Sequence, residues 1–237
     1  MATKTTKTTA QPMFSTETFR FLAELEARNE RDWFEANKGR YEEHVREPAL
    51  AFIRAMRPGV QAVSEHLLAE DKKVGGSLMR VYRDTRFGKD KTPYKTNVGI
   101  QFRHDGGKDV HAPGLYMHVA TDGCFVAGGM WRPERPALQA IRAKIAEDGA
   151  AWGRVRGSKA LTGAGFTFGG EALKRVPREF PADHPHAEDL KRTSFIVSAP
   201  LTVEDVVAPD VAARVSAKVA ATRELMHYLC DAIGVPF

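Results

Sequence analysis

Over residues 97–102 and 115–119 apolar and polar residues alternate with a period of two. Val98, Ile100 and Phe102 interleave with Asn97, Gly99 and Gln101, and Leu115, Met117 and Val119 interleave with Tyr116 and His118. The chain then turns at Asp122-Gly123 and returns through 124–130 as Cys-Phe-Val-Ala-Gly-Gly-Met. Successive side chains of a strand point to opposite faces, so this pattern predicts half-buried strands, and a two-residue Asp-Gly link is a hairpin signal. Residues 78–84 extend in the same style, and Phe195–Ala199 reads as a further short strand. Four consecutive strands with turn-rich links and no helix between them form an antiparallel meander, because a parallel pair needs a long crossover. The expected sheet therefore spans about residues 78–130 and 194–199.

Helical spacing flanks this region on both sides. Ser15 is suited to cap a first helix, with Glu17 in its first turn and Phe19, Leu22 and Leu25 on one face. After a break at Asn29, Trp33-Phe34 leads to a helical stretch carrying Tyr41, Val45, Phe52, Ile53 and Met56, where Pro48 predicts a kink or two abutting helices. Pro133 and Pro136 open a segment with Leu138, Ile141 and Ile145 at helical spacing. Residues 157–190, rich in Gly, Pro and His, read as a long surface excursion. A last long helix starts at Pro209-Asp210, carries a stripe from Val211 to Ile233, and stops at Gly234 and Pro236. The expectation is α+β: one domain over residues 13–237, with the Thr/Lys-rich residues 1–12 as a disordered leader.

Charge is distributed unevenly. The 237 residues carry a net +5, yet residues 80–95 (RVYRDTRFGKDKTPYK) alone hold six cations against two anions, an excess of four. Concentrated like charge costs free energy unless an anionic ligand or internal ion pairs offset it. Two isolated cysteines, Cys124 and Cys230, suit a reducing compartment without a disulfide framework. No run of eighteen apolar residues is present and no secretory pattern opens the chain, so the expected location is cytoplasmic.

Most catalytic signatures are missing. The sequence has no G-x-S-x-G, Walker A, H-E-x-x-H or C-x-x-C motif. Gly163-x-Gly165 lacks the spacing of a dinucleotide loop, and Cys124 reads as an inert strand thiol. Asp183-His184-Pro-His186 reads as a solvated loop, so no metal site is expected. No cofactor is indicated.

The basic segment leaves three readings open. In the first it binds a phosphate-bearing or other anionic ligand through Arg80, Arg83, Arg86, Lys89, Lys91, Tyr94 and Lys95, since arginine presents a planar fork matched to phosphate or carboxylate. In the second, Asp84 and Asp90 tie the arginines into a purely structural lattice. In the third, His118 and Asp84 act as acid–base groups of a hydrolase or transferase on a phosphate or carboxylate ester, with Tyr82 and Tyr116 as proton donors. An anionic small molecule is the favoured partner. Nucleic acid is disfavoured, because outside residues 80–95 the chain has an excess of only one positive charge.

Asn29-x-x-x-Trp33-Phe34-x-x-Asn37-Lys38-x-x-Tyr41, the run from Arg80 to Lys95, and Gly128-Gly129-x-Trp131-x-Pro133 followed by Leu138 and Ile141-Arg142 together resemble the family catalogued as domain of unknown function 2461. The resemblance runs from about Phe14 to the C-terminal helix, departing at Glu30 and over residues 157–180. It implies that segments 29–41, 80–95 and 128–142 meet in one structure. It carries over no catalytic residue, cofactor or substrate.

Overall fold

The sheet predicted by the alternation is present, with five antiparallel strands in the order β1-β2-β3-β5-β4. The computed structural model describes residues 13–86, 89–107 and 111–237; the reading of residues 1–12 as a leader, and the ring of Phe87, lie outside them. The chain opens with helices α1 (Thr16–Ala27), α2 (Arg31–Ala36) and α3 (Lys38–Tyr41), a π-helical turn (Glu42–Arg46) and α4 (Glu47–Val63). Three strands follow: β1 (Asn97–Arg103), β2 (Gly114–Ala120) and β3 (Gly123–Met130). Next come α5 (Arg135–Glu147), α6 (Gly149–Arg156), α7 (Lys159–Gly163), β4 (Thr167–Gly169) and α8 (Ala187–Leu190). The chain ends with β5 (Phe195–Leu201), α9 (Val203–Val207), α10 (Val211–Ala220) and α11 (Arg223–Ile233). No helix among the described residues is long and apolar enough to cross a membrane.

Alternation sorts the sheet into two unlike faces. Val98, Ile100, Phe102, Leu115, Met117, Val119, Val126 and Val197 are all buried in one contiguous core, with α4, α10 and α11 packed against the strands. The register pairs Gly99 with His118, Gln101 with Tyr116 and Phe125 with Pro200, so these side chains share the opposite, partly exposed face.

The kink expected at Pro48 takes the form of the π-turn. Pro48 has no N–H for the carbonyl one turn earlier, and the helix widens just before it, with Glu47 N–H bonding Glu42 O. The His44 carbonyl, four residues before Pro48, accepts the buried Thr18 hydroxyl at 2.7 Å, and Thr18 in turn accepts the Ser15 N–H at 3.2 Å to complete the cap of α1. One hydroxyl thus ties the start of the first helix to the break in the second. Thr18→Val, which keeps the shape and removes the hydroxyl, is expected to destabilise the fold by about 1–3 kcal/mol in chemical denaturation. Thr18→Ser should retain the tie, and equal losses from both substitutions would refute it.

Two expectations need correction. Residues 78–84 do not form a strand of the sheet. Ser77 to Met79 run along β1, through Gln101 N–H to Ser77 O (2.8 Å) and Met79 N–H to Gly99 O (2.9 Å), but at Arg80 the chain turns to pair with its own return instead. The C-terminal helix is also not continuous. It breaks between α10 and α11 at Thr222, which is fully buried, bonds the Val219 carbonyl at 2.7 Å, and packs where Gly128 of β3 leaves room. Gly234, in the left-handed conformation (φ 72°), ends α11 as the sequence predicts.

Candidate functional site

The basic segment folds back on itself as a narrow arm. Tyr82 pairs with Tyr94, Arg83 N–H bonds Pro93 O at 2.9 Å, and Lys95 N–H bonds Val81 O at 2.7 Å. Asn29 clamps the base: its side-chain amide donates to Tyr94 O (2.9 Å) while its carbonyl accepts Tyr94 N–H (3.0 Å), mimicking a strand neighbour. The Tyr94 ring is buried and stacks on Phe34 at 4.1 Å and 19°. Phe34 in turn meets Tyr41, which packs on Phe21. The loop before α2 and the aromatics of α2 and α3 thus tie the base of the arm to the core that they share with Phe21.

Ion pairs run along the arm. Arg83 meets Asp90 at 2.5 Å and Thr92 Oγ1 at 2.7 Å, and Asp90 also accepts the Thr92 N–H. Arg86 grips Asp84 through two nitrogens, at 3.0 and 2.7 Å. Lys91 donates to Thr85 O at 2.8 Å, across the tip. These contacts hold the Asp84 carboxyl well below the usual carboxylate range, through Arg86 first, and lower that of Asp90 through the Thr92 N–H first. The pairs are open to water, and exposed pairs contribute little stability. They set the direction of the guanidinium groups more than they hold the fold.

Four arm cations, Arg80, Lys89, Lys91 and Lys95, form no ion pair with a carboxylate among the described residues, and of these Lys91 has the Thr85 carbonyl. Lys95 is half-buried, and burial, followed by the neighbouring charge of Arg80, pushes its ammonium below the ordinary lysine value. Arg80 and Lys95 thus repel each other, and the carboxylate that acts on Arg80 is Asp84, already held by Arg86.

Between the arm and α2 lies a groove of about 300 Å³. Arg31 and Glu35 line it from α2, Tyr82, Arg83 and Thr85 from the outgoing limb, and Pro93 and Tyr94 from the return. Glu35 is paired with Lys38 at 3.2 Å, whereas Arg31 has no carboxylate partner among the described residues. Tyr82 is 47% exposed, its ring packed on Phe34 and Tyr94 and otherwise open beside Arg31 and Arg83. Arg31 escaped the sequence reading, since a lone arginine at a helix start resembles any solvated charge. Only its position opposite the arm distinguishes it.

His118 and Tyr116 belong to a different place, the partly exposed face of the sheet. The Tyr116 hydroxyl lies 3.1 Å from His118 Nδ1, Asn97 Nδ2 lies 3.4 Å from the same atom, and the imidazole stacks on Phe125 at 4.8 Å and 12°. Gly99 makes room for this cluster, because a Cβ there would stand 2.9 Å from both the Tyr116 hydroxyl and Met79 Sδ. Asn97 also bonds the Tyr116 hydroxyl, and the neutral Nε2–H tautomer lets Tyr116 donate to Nδ1. Burial lowers the His118 pKa and pushes that of Tyr116 up to about 12. No hydrogen bond or ion pair joins His118 to Asp84, which stays with Arg86, and Tyr82 packs on Phe34 and Tyr94 rather than near Tyr116. The acid–base set is therefore split between two locations.

Because His118 is held neutral, its folded pKa lies below its unfolded value, and the unfolded chain takes up more protons. Stability is expected to be complete above the ordinary histidine value and to fall as pH drops through it. In an NMR titration His118 should titrate below that value. Asp122→Asn should lower it further, because the Asp122 charge opposes the shift. A midpoint at or above the ordinary value would contradict the assignment.

The histidines at 184 and 186 are not a solvated loop but brace the α5–α6 junction. His186 Nε2 lies 2.8 Å from Gly149 O, and His184 Nε2 lies 3.4 Å from Ala146 O.

The structure thus defines an α+β protein with a basic, self-paired arm seated on N-terminal helices beside an arginine-lined groove. The sequence profile of the family described as conserved hypothetical protein (DUF2461) matches residues 17–228, nearly the whole chain, and the protein belongs to that family. No curated protein and no solved structure matches it.

Proposed function

We propose that the groove between α2 and the arm binds a small anionic ligand carrying a phosphate or carboxylate group. The observation that supports this is the convergence of Arg31, which lacks a carboxylate partner, with Arg83 and the exposed Tyr82 ring around one space of about 300 Å³. That volume is at the lower end for small-molecule sites. The arginines offer forked donors, Tyr82 offers a face for an apolar or aromatic portion, and Arg80, Lys89 and Lys95 add positive potential nearby. Arg86 and Lys91 serve the arm itself, through Asp84 and Thr85. The Asp90–Arg83 pair is exposed, so an incoming dianion can replace Asp90 without uncovering a buried charge. A cytoplasmic setting suits the two free thiols: Cys124 and Cys230 are both buried, and burial pushes the Cys230 thiol up to about 12.

The test is calorimetric titration with inorganic pyrophosphate, a nucleoside diphosphate and citrate. At least one should bind saturably. Arg31→Ala and Arg83→Ala, both at exposed positions, should each weaken it about tenfold to a hundredfold, the range for a charge-assisted hydrogen bond. A shallow salt dependence should accompany binding. A steep one, together with tight retention of oligonucleotides, would indicate a nucleic-acid backbone as the ligand. Equal affinity in the wild type and both variants would overturn the proposal.

A further inference from the structure

At the far end of β1 two imidazoles and a carboxylate converge. Backbone bonds from Leu68 N–H to Arg103 O (2.9 Å) and from Asp105 N–H to His66 O (2.8 Å) fix the loop after α4 against the strand, placing His66 beside His104 and Asp105. The two rings stack at 5.4 Å and 20°. His66 Nδ1 lies 3.0 Å from one Asp105 oxygen and His104 Nδ1 lies 3.3 Å from the other, and the three donor atoms all fall within 4.8 Å of one another.

Proton positions make this cluster more than an ion pair. His104 is 1% exposed, and its Nε2 lies 2.8 Å from the Pro236 carbonyl, which can only accept. Nε2 therefore carries the proton, and in neutral His104 the Nδ1 lone pair faces the Asp105 carboxylate. Two acceptors then meet at 3.3 Å, an arrangement that a cation between them resolves. Protonating Nδ1 does not resolve it cleanly, because the Gly106 N–H already points at that nitrogen from 3.0 Å. The same N–H reaches the Asp105 carboxylate, so it keeps a partner when Nδ1 is taken by a metal. A ligating histidine that donates its other N–H to a backbone carbonyl is the usual outer arrangement of a metal site. Each spacing, 3.0 Å from His66 to one Asp105 oxygen and 3.3 Å from His104 to the other, is near the ligand-to-ligand edge of about 3.3 Å that tetrahedral bonds of about 2.0–2.1 Å produce.

We infer that His66, His104 and Asp105 form a binding site for a divalent transition metal of the zinc class, with a remaining coordination position open to water. Two imidazole nitrogens and one carboxylate group suit zinc and its neighbours over calcium or magnesium, which prefer all-oxygen sets. His66 and Asp105 are 26% and 44% exposed at the side chain, so solvent reaches the metal position while His104 anchors it from within. A bound ion would link three parts of the chain: the end of α4 through His66, the end of β1 through Asp105, and the C-terminal tail through His104 and Pro236.

The test uses the full chain, stripped with a chelator and dialysed against Zn²⁺. One equivalent per chain should be retained, and the thermal midpoint should rise with Zn²⁺ concentration. His66→Ala and Asp105→Asn change surface positions and should each weaken retention at least tenfold while leaving the chelated protein folded by circular dichroism. If either variant unfolds, the wild type still decides: on titration with Co²⁺, the ring protons of His66 and His104 should shift before those of His184 and His186. No saturable binding at one equivalent, retention unchanged in both variants, or first shifts at His184 and His186 would each overturn the site.

Discussion

Gly129→Ala is expected to remove a large part of the folding free energy. Gly129 has φ 126°, a conformation that costs a residue with a side chain about 1–3 kcal/mol. A Cβ there would lie 2.1 Å from the carbonyl oxygen of Phe195 and 2.9 Å from Ile196 Cα, both backbone atoms of β5. No rotamer change relieves such a contact. Either β3 and β5 separate or the strand bends, and overpacking of this kind adds about 1–3 kcal/mol. Together these come to about 2–6 kcal/mol, a large part of the roughly 5–15 kcal/mol that holds a typical domain. Gly39→Ala is the control: it sits in a helix with open space around it and should be neutral or slightly stabilising. A Gly129→Ala protein as stable as the wild type in chemical denaturation would show that the β3–β5 approach is misplaced.

Asp189→Ala should be of similar severity for a different reason. Asp189 is 5% exposed, accepts the indole N–H of fully buried Trp152 at 2.8 Å and the guanidinium of Arg192 at 2.8 Å, and lies 3.3 Å from Arg156. Both arginines also lie over the Phe168 ring. Removing the carboxylate leaves a buried indole donor unpaired and Arg192 without its counter-charge. Breaking a buried pair on one side costs about 3–5 kcal/mol. Asp189→Asn keeps an acceptor for Trp152 and should cost less. Denaturation followed by tryptophan fluorescence measures both variants, and a loss below about 1 kcal/mol for Asp189→Ala would contradict the buried network.

The sheet was legible because alternation at period two is a local property. The core-facing residues of β1 and β2 are the ones the pattern selects, whereas β3 is buried along nearly its whole length and shows no alternation. Residues 78–84 show the same alternation yet leave the sheet after Met79, because the partner of Tyr82 is Tyr94. That pairing depends on Asn29 and Phe34, far away in sequence. No local pattern carries such information. The last helix looked continuous because Thr222 fits the stripe, and its break reflects packing against Gly128.

The candidate site was legible in charge but not in geometry. The excess on residues 80–95 pointed to the arm, and interleaving Asp84 and Asp90 with arginines anticipated the ion pairs. Which cations those pairs would leave over depended on the fold. So did the arrival of Arg31, the separation of His118 from Asp84, and the meeting of His66 with His104 and Asp105.

Ligand binding in the groove beside the arm can be measured directly. In two-dimensional ¹⁵N NMR the protein is titrated with inorganic pyrophosphate at constant ionic strength. Saturable shifts are expected for the backbone amides of Arg31, Tyr82 and Arg83, absent from the Arg31→Ala protein. Linear, unsaturated drift across the whole spectrum, or saturable shifts confined to residues away from α2 and the arm, would contradict it.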